Sequence, residues 1–177
     1  MDLRIVKTKR GIQQSFLTLF NEGDFDRLTV KQITEHAQIG RKTFYLHYLD
    51  KYDLLNFIVS EKFQELEEIC EAKKELGLSE GTKIWFHYFH EHQTFFKKLF
   101  NIQNADKYKS QFKTLIVNEL NKKGLPTLKT SVNHDWFIQF FAGGMIELVT
   151  IYLNDDNHQR KSIESQVASL MNLFYND

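Results

Sequence analysis

The sequence of 177 residues contains one proline, Pro126, and one cysteine, Cys70. Because prolines collect in loops and at the edges of sheets, their scarcity favours a chain built mostly from helices. A single cysteine excludes an internal disulfide framework and a cysteine-rich metal motif. No apolar run reaches the roughly eighteen uncharged residues of a membrane span, and no signal peptide opens the chain. We therefore expect a soluble cytoplasmic protein without a membrane partner.

The chain also lacks a net charge, because 23 basic residues balance 23 acidic ones. The distribution is uneven, however. Residues 1–52 hold nine Lys and Arg against six Asp and Glu, and the remainder holds fourteen against seventeen. A basic N-terminal segment on an acidic body is the asymmetry expected when only one part of a protein meets nucleic-acid phosphate.

Apolar residues recur with the 3.6-residue period of an amphipathic helix along most of the chain, and no β alternation or internal repeat is evident. Thr29, followed three positions later by Gln32, predicts a capping box at the start of a short helix. Asp50 is a candidate N-cap of a long fourth helix, and Gly124 with Pro126 ends a seventh. The pattern predicts an all-α fold of about nine helices, divided in or near the fourth.

The segment from 29 to 51 has helix-turn-helix spacing: two short helices joined by a three-residue turn. Ile33, Ala37, Ile39 and Phe44 are spaced to form a small core. Arg41, Lys42 and Thr43 are left outside, at the front of a helix that can enter a major groove and contact base edges. Hydroxyl and ammonium groups on nearby side chains are suited to hydrogen bonding with DNA phosphate. The alternative is an ordinary polar helix surface. The candidate DNA contacts are Thr29, Gly40, Arg41, Lys42, Thr43, Tyr45, His47, Tyr48 and Lys51.

The stretch TVKQITEHAQIGRKTFYLHYLDKYDLL, residues 29–55, resembles the DNA-binding domain of the TetR/AcrR family of transcriptional regulators. The family pattern is roughly T-V-x-x-I-A-x-x-A-G-V-S-x-x-T-F/L-Y-x-H-F-x-x-K-x-x-L, and the resemblance covers about residues 8–55. It implies that Thr43, Tyr45, His47, Tyr48 and Lys51 stand at positions that touch DNA. It also implies an N-terminal three-helix DNA-binding domain over 1–50 and a helical effector-binding and dimerisation domain over 51–177.

The sequence departs from the family pattern at the turn. The glycine of the family turn is Gln38 here, so this residue has to accept a strained backbone unless the turn geometry differs. The serine that caps the recognition helix is Gly40 here, which removes a capping hydroxyl.

Aromatic residues are concentrated in the C-terminal part, with seven between positions 85 and 100 and a second group, WFIQFF, at 136–141. TetR-like regulators carry effector pockets in this region, and rings around an apolar cavity are a usual form of such a site. The alternative is an ordinary aromatic core. The candidate pocket residues for an unknown small molecule are Trp85, Phe89, Phe96, Phe112, Trp136 and Phe140.

The stretch FFAGGMIELVTIYL, residues 140–153, resembles the penultimate helix of a C-terminal-domain class of this family that includes dihydroxyacetone-kinase regulators. Two adjacent glycines inside a helix each cost about 1 kcal/mol relative to alanine, and close approach of another helix would offset that cost. We expect the partner helix to belong to a second copy, the alternative being an internal crossing with the ninth helix. The candidate dimer-interface residues are Ala142, Gly143, Gly144, Ile146, Val149, Val167, Leu170 and Phe174.

His87, His90 and His92 form the densest histidine cluster, but they lack a cysteine partner or a second helical pair, so a metal site is only a minor alternative. No phosphate loop, nucleophile elbow or His-Glu metal motif indicates an enzyme, and no cofactor is expected. The sequence predicts a homodimeric, operator-binding repressor controlled by a small molecule. The alternatives are an activator or coregulator that works with a protein partner, and a metal sensor.

Overall fold

We analysed a computed structural model of the chain, which describes residues 3–72, 76–122, 133–155 and 160–174. Within these ranges the backbone forms α-helices and no strand, as the sequence pattern predicts. The helices, numbered in chain order, are α1 Leu3–Glu22, α2 Val30–His36, α3 Arg41–Tyr45, α4 Lys51–Ala72, α5 Gly77–Glu91, α6 Gln93–Leu99, α7 Ala105–Lys122, α8 His134–Asn154 and α9 Arg160–Phe174.

The chain divides into two compact units, Met1–Lys62 and Phe63–Asp177, with the boundary inside α4. The first unit holds α1 to α3 and the beginning of α4. Its core is formed by buried apolar side chains of α1 and α2 together with Phe25, Phe44 and Leu54. Rings of Phe16 and Phe20 stack with centroids 5.6 Å apart, which gives this small unit a rigid aromatic centre.

The second unit holds the remainder of α4 and the helices from α5 to α9. In it α5 packs on α9, and α7 and α6 pack on α8. Its core is rich in phenylalanine because α5, α6 and α7 each direct rings inward, so large side chains fill the space between helices with little loss of rotamer freedom.

α8 is long and apolar enough to cross a membrane by length and composition alone, and it is one such helix among the described residues. The core helix of a soluble protein passes the same test, so this single helix is weak evidence for a membrane. Its buried face includes Phe137, Met145 and Tyr152, which belong to the core of the second unit.

The helix boundaries follow local signals that are visible in the sequence. The Asp50 carboxylate accepts hydrogen bonds from the amides of Tyr52 and Asp53, both at 2.8 Å, and so caps α4 as predicted. The third helix is shorter than expected: it ends at Tyr45 instead of about Tyr48. The chain makes a turn at residues 46–47 and a bend at 49–50 before α4 begins.

Candidate nucleic-acid interface

The short helix α3 places one large apolar side chain inward and three polar ones outward. Phe44 is fully buried, and so is Ile33 on α2, which together seat α3 on the core of the first unit. Arg41 and Lys42 in the first turn are exposed, and Tyr45 is 56% exposed. The exposed edge therefore has two permanent cations at the N-terminal end of α3, the end that base-reading helices present to a major groove, and a phenol at its last residue.

A capping box holds the start of α2, as the sequence predicts. The backbone amide of Gln32 donates to the Thr29 hydroxyl oxygen at 3.3 Å, and the backbone amide of Thr29 donates to the Gln32 side-chain oxygen at 2.9 Å. The Thr29 hydroxyl also donates to that oxygen at 2.8 Å. Thr29 is exposed, but its hydroxyl already has a structural role in the helix start.

The turn between α2 and α3 has the backbone strain expected from its sequence. Gln38 has a φ of 54°, in the left-handed region that favours glycine. Gly40 is the N-cap of α3, with φ −74° and ψ 147°, and it makes no side-chain capping bond. This backbone is open to any residue, so the glycine leaves the first amides of α3 without a capping hydroxyl but imposes no strain.

Tyr48 is placed differently from the expectation of a phosphate contact. It is only 4% exposed, and its hydroxyl accepts a hydrogen bond from the Gln13 amide nitrogen at 3.0 Å. Burial raises the pKa of the Tyr48 phenol. Its ring packs between Phe44 and Phe57, with centroids 5.8 and 5.7 Å away. In this structure Tyr48 joins α1, α3 and α4 inside the first unit.

Lys51 is half-buried and its ammonium group is engaged within the chain. Nζ donates to the backbone oxygens of Phe25 and Asp26 at 2.8 and 2.9 Å. It also lies 4.8 Å from the Phe25 ring centroid and 5.1 Å from that of Tyr52. The side chain thus ties the start of α4 to the loop that follows α1, a role that the sequence pattern did not indicate.

The remaining candidate contacts in this region are partly accessible. Thr43 and His47 are half-buried. Two leucines in the same region, which were not among the candidates, are strongly exposed: Leu46 is 80% and Leu49 is 81% exposed. Sequence reasoning missed them because leucine near a helix end usually packs inward, and the early end of α3 is what turns them outward.

The six candidate pocket residues do not line one cavity. Phe89, Phe96 and Phe112 are fully buried and packed against each other, with centroids 4.7 Å apart for the first two and 5.1 Å for Phe89 and Phe112. Trp85 is half-buried, and its ring lies 5.8 Å from that of Phe112. These four side chains are core neighbours. Trp136 and Phe140 are 79% and 76% exposed, so they lie on the outside of α8.

The candidate dimer residues differ in their exposure. Ala142, Val149 and Val167 are buried within the subunit, and Ile146 is half-buried. Leu170 is 41% exposed. Phe174 ends α9, but its side chain lies outside the described residues.

The two glycines of α8 face open space. A Cβ added at Gly143 or Gly144 would meet no atom within 4 Å, so within the described chain no helix crosses them closely. The internal crossing with α9, the alternative weighed from the sequence, therefore does not explain the pair. Trp136 and Phe140 precede the glycines at helical spacing on the exposed side of α8. We refer to Trp136, Phe140, Gly143, Gly144 and Ile151 as the outer face of α8.

The three histidines of α5 and its C-cap do not converge on one point. His87 lies 3.5 Å from the Glu91 carboxylate, His90 lies 3.4 Å from the Arg160 guanidinium, and the His92 ring packs 4.5 Å from that of Tyr88. Among the described residues no group of three or more His, Cys, Asp or Glu side chains is arranged to hold a metal ion.

The N-terminal part of the chain matches a known protein family. Residues 17–58, which contain α2 and α3, match the family described as bacterial regulatory proteins, tetR family. An uncharacterised HTH-type transcriptional regulator of Bacillus subtilis, YxbF, is 32% identical over 87 residues, covering 47% of this chain and 23% of that protein. The HTH-type dhaKLM operon transcriptional activator DhaS of Lactococcus lactis is 28% identical over 95 residues, covering 54% of this chain and 50% of that protein.

The solved structures show the same fold over nearly the whole chain. A TetR transcriptional regulator from Streptococcus agalactiae superposes with a TM-score of 0.73 at 21% identity and covers 95% of both chains. The matches to the two curated relatives span half or less of those proteins. The matched family and relatives are regulators, which confirms the prediction of a non-enzymatic protein. The resemblance to the TetR/AcrR family that the sequence suggested is therefore confirmed: residues 17–58 match the tetR family of bacterial regulatory proteins, and the chain shares its all-α fold with a solved TetR transcriptional regulator.

Proposed function

We propose that this protein is a homodimeric transcriptional regulator that binds operator DNA through α3. The observation that carries the proposal is the exposed edge formed by Arg41, Lys42 and Tyr45 above the buried Phe44. Arginine and lysine donate to guanine O6 and N7 in the major groove, and a phenol can donate to phosphate. Such a protein acts in the cytoplasm, where the DNA of a bacterium lies.

Dimerisation is part of the proposal because one recognition helix contacts only a short stretch of DNA. One helix as short as α3 reads only a few base pairs, and two copies related by two-fold symmetry read two half-sites about 34–36 Å apart. The outer face of α8 supports this part of the proposal. Its exposed rings and its glycines, with open space beside them, suit close packing against the same face of a second copy.

We consider two directions of regulation, repression and activation. The sequence favours a repressor, which blocks transcription when bound and leaves DNA when a small molecule binds the C-terminal unit. A ligand needs to favour one state by only a few kcal/mol to switch occupancy. An activator is the second candidate, because the relative DhaS carries that designation. A reporter gene placed behind the operator distinguishes the two, since added protein lowers transcription in the first case and raises it in the second.

DNA recognition is tested by selecting fragments bound by the purified full-length protein and then measuring affinity for the selected and for random duplexes at several salt concentrations. Arg41→Ala and Lys42→Ala should each reduce discrimination by about 1–3 kcal/mol at one position in each half-site. Lys113→Ala on α7 removes the same charge far along the chain from α3 and serves as the control. Equal losses on selected and random DNA would show that Arg41 and Lys42 do not read bases.

A further inference from the structure

A cavity of about 440 Å³ in the second unit is not used by the proposed contacts with DNA. Its walls come from α5, α8 and α9. Cavities that hold small molecules in proteins usually measure about 300–1,000 Å³, so the space is sufficient for a metabolite and larger than a bare ion needs. The lining is unusual for an effector pocket because its charged side chains are mostly cationic: Lys83, Arg160 and Lys161 against the single carboxylate of Glu164.

Arg160 is the most informative of these residues because it is buried without complete hydrogen bonding. The residue is 9% exposed. Its Nη2 donates to the Asp155 backbone oxygen at 2.6 Å, and its Nη1 lies 3.4 Å from His90 Nδ1. Nε is buried and has no partner in the described part of the chain. A buried cation with an unused donor is costly unless an acceptor is supplied, so the side chain points to an anionic ligand.

The carboxylate of Glu164 in the cavity lining does not supply the missing acceptor for Arg160 Nε. Glu164 accepts a hydrogen bond from the Tyr152 hydroxyl at 3.1 Å. Burial of the Tyr152 phenol, together with this hydrogen bond, raises its pKa to about 12. The guanidinium of Arg160 lies over the Tyr152 ring, 5.5 Å from its centroid, so an aromatic face supports the cation from the other side. The Tyr152 ring thus positions Arg160, and its hydroxyl holds Glu164.

Charge balance narrows the class of ligand. Among the described lining residues, three permanent cations and one carboxylate leave an excess of two positive charges, which falls to one because Lys83 also pairs with Glu80 outside the lining. Lys161 forms no ion pair within the described residues. α9 begins at Arg160, so the positive end of that helix dipole lies at the same cavity. A phosphate monoester is a dianion at neutral pH, with a second pKa near 6, and its three free oxygens can accept from several donors at once.

We propose that the cavity between α5, α8 and α9 binds a small phosphate monoester, with Arg160 and Lys161 holding the phosphate group. This inference does not depend on DNA binding, and it assigns a ligand site separate from the aromatic residues that the sequence suggested. Of the three histidines that the sequence suggested as an alternative metal site, His90 lies beside Arg160 at this cavity.

The test is calorimetric titration of the full chain with inorganic phosphate and with ethyl phosphate, with acetate as the carboxylate comparison. Saturable binding of one ethyl phosphate per chain, tighter than acetate, is the expected result. Lys161→Ala, an exposed substitution on α9, should weaken it by about tenfold because a charge-assisted hydrogen bond is lost. Lys113→Ala removes a lysine from α7, outside this lining, and should leave the affinity unchanged.

A second variant separates binding from folding. Arg160→Met should abolish binding, yet leave the ligand-free protein folded with the helical content of the parent, because an apolar side chain of similar length replaces a buried cation whose Nε has no partner among the described residues. The proposal is overturned by an absence of saturation, by equal weakening in Lys161→Ala and Lys113→Ala, or by acetate binding as tightly as ethyl phosphate.

Discussion

At the scale of single residues, Gln38 shows that this chain tolerates strain at the turn of its helix-turn-helix. Its φ of 54° is a conformation that costs an L-residue other than glycine about 1 kcal/mol or more. Gln38 is exposed, so no buried contact of its side chain offsets that cost.

We therefore expect Gln38→Gly to raise the free energy of unfolding by about 0.5–1 kcal/mol, the gain from relieved strain being reduced by the greater freedom of glycine in the unfolded chain. Denaturant titration measures the change. Gln14→Gly, at an exposed position inside α1, is the control and should destabilise by about 1 kcal/mol. A loss of stability in Gln38→Gly would show that the side chain makes a contribution that outweighs the strain.

Lys51 is a second residue whose role depends on its surroundings. Its ammonium group satisfies two backbone oxygens that follow α1, one of them part-buried. Lys51→Met keeps much of the side-chain volume but leaves these oxygens without their donor, so we expect a loss of about 1–3 kcal/mol in the free energy of unfolding without DNA present. Lys31→Met, which removes an exposed pair with Glu35, should cost less than about 1 kcal/mol.

The same variant separates the structural role of Lys51 from a direct contact with phosphate. If Lys51 also contacts DNA, the slope of log affinity against log salt falls by about one unit. An unchanged slope together with the stability loss assigns Lys51 to the fold alone. Unchanged stability would contradict the hydrogen bonds to Phe25 and Asp26.

At the scale of elements, α2 depends on its first turn. It has seven residues, too few to be stable by themselves, so the capping box of Thr29 and Gln32 and the burial of Ile33 decide whether the helix forms. Thr29→Ala should lower the free energy of unfolding by about 1 kcal/mol, and Thr29→Ser should retain most of it because the capping hydroxyl remains.

Thermal unfolding with circular dichroism measures both variants. DNA affinity provides an independent reading, since the sequence also suggested Thr29 as a phosphate contact. Equal stability of Thr29→Ala and the parent protein would mean that the capping box contributes little.

At the scale of the whole molecule, the outer face of α8 exposes large apolar side chains within the part of the chain that the structure describes. Phe140, 76% exposed, should lie inside the proposed dimer interface. Phe140→Asp should convert the protein to monomers, because a carboxylate would lose its hydration there without a cationic partner. Sedimentation velocity measures the mass, and Asn118→Asp on the exposed side of α7 is the matched control.

Both variants should retain the helical content of the parent, because both positions are exposed in the subunit. DNA affinity should fall in Phe140→Asp only, since two coupled recognition helices bind more tightly than one. A dimer that persists in Phe140→Asp would move the interface away from this face.

The presence of the helices, the starts of α2 and α4 and the helix-turn-helix could be predicted from the sequence, because the signals for each lie close together along the chain. Periodicity placed Phe44 inward, the pair Thr29 with Gln32 marked the start of α2, and Asp50 marked the start of α4. The turn strain at Gln38 was visible for the same local reason.

Which polar and aromatic side chains of these patterns are exposed depends on contacts between residues that are far apart in the sequence. Tyr48 and Lys51 carry polar groups near a basic helix, yet contacts with α1 and with the loop after it engage those groups. Trp136 and Phe112 are both aromatic residues at helical spacing, but one is exposed and the other buried, because helical spacing specifies a face without specifying what packs against it. The cavity around Arg160 is lined by residues of α5, α8 and α9, which are far apart in the sequence. The spacing of residues within one helix carries no information on which helices pack together, so the sequence did not predict this cavity.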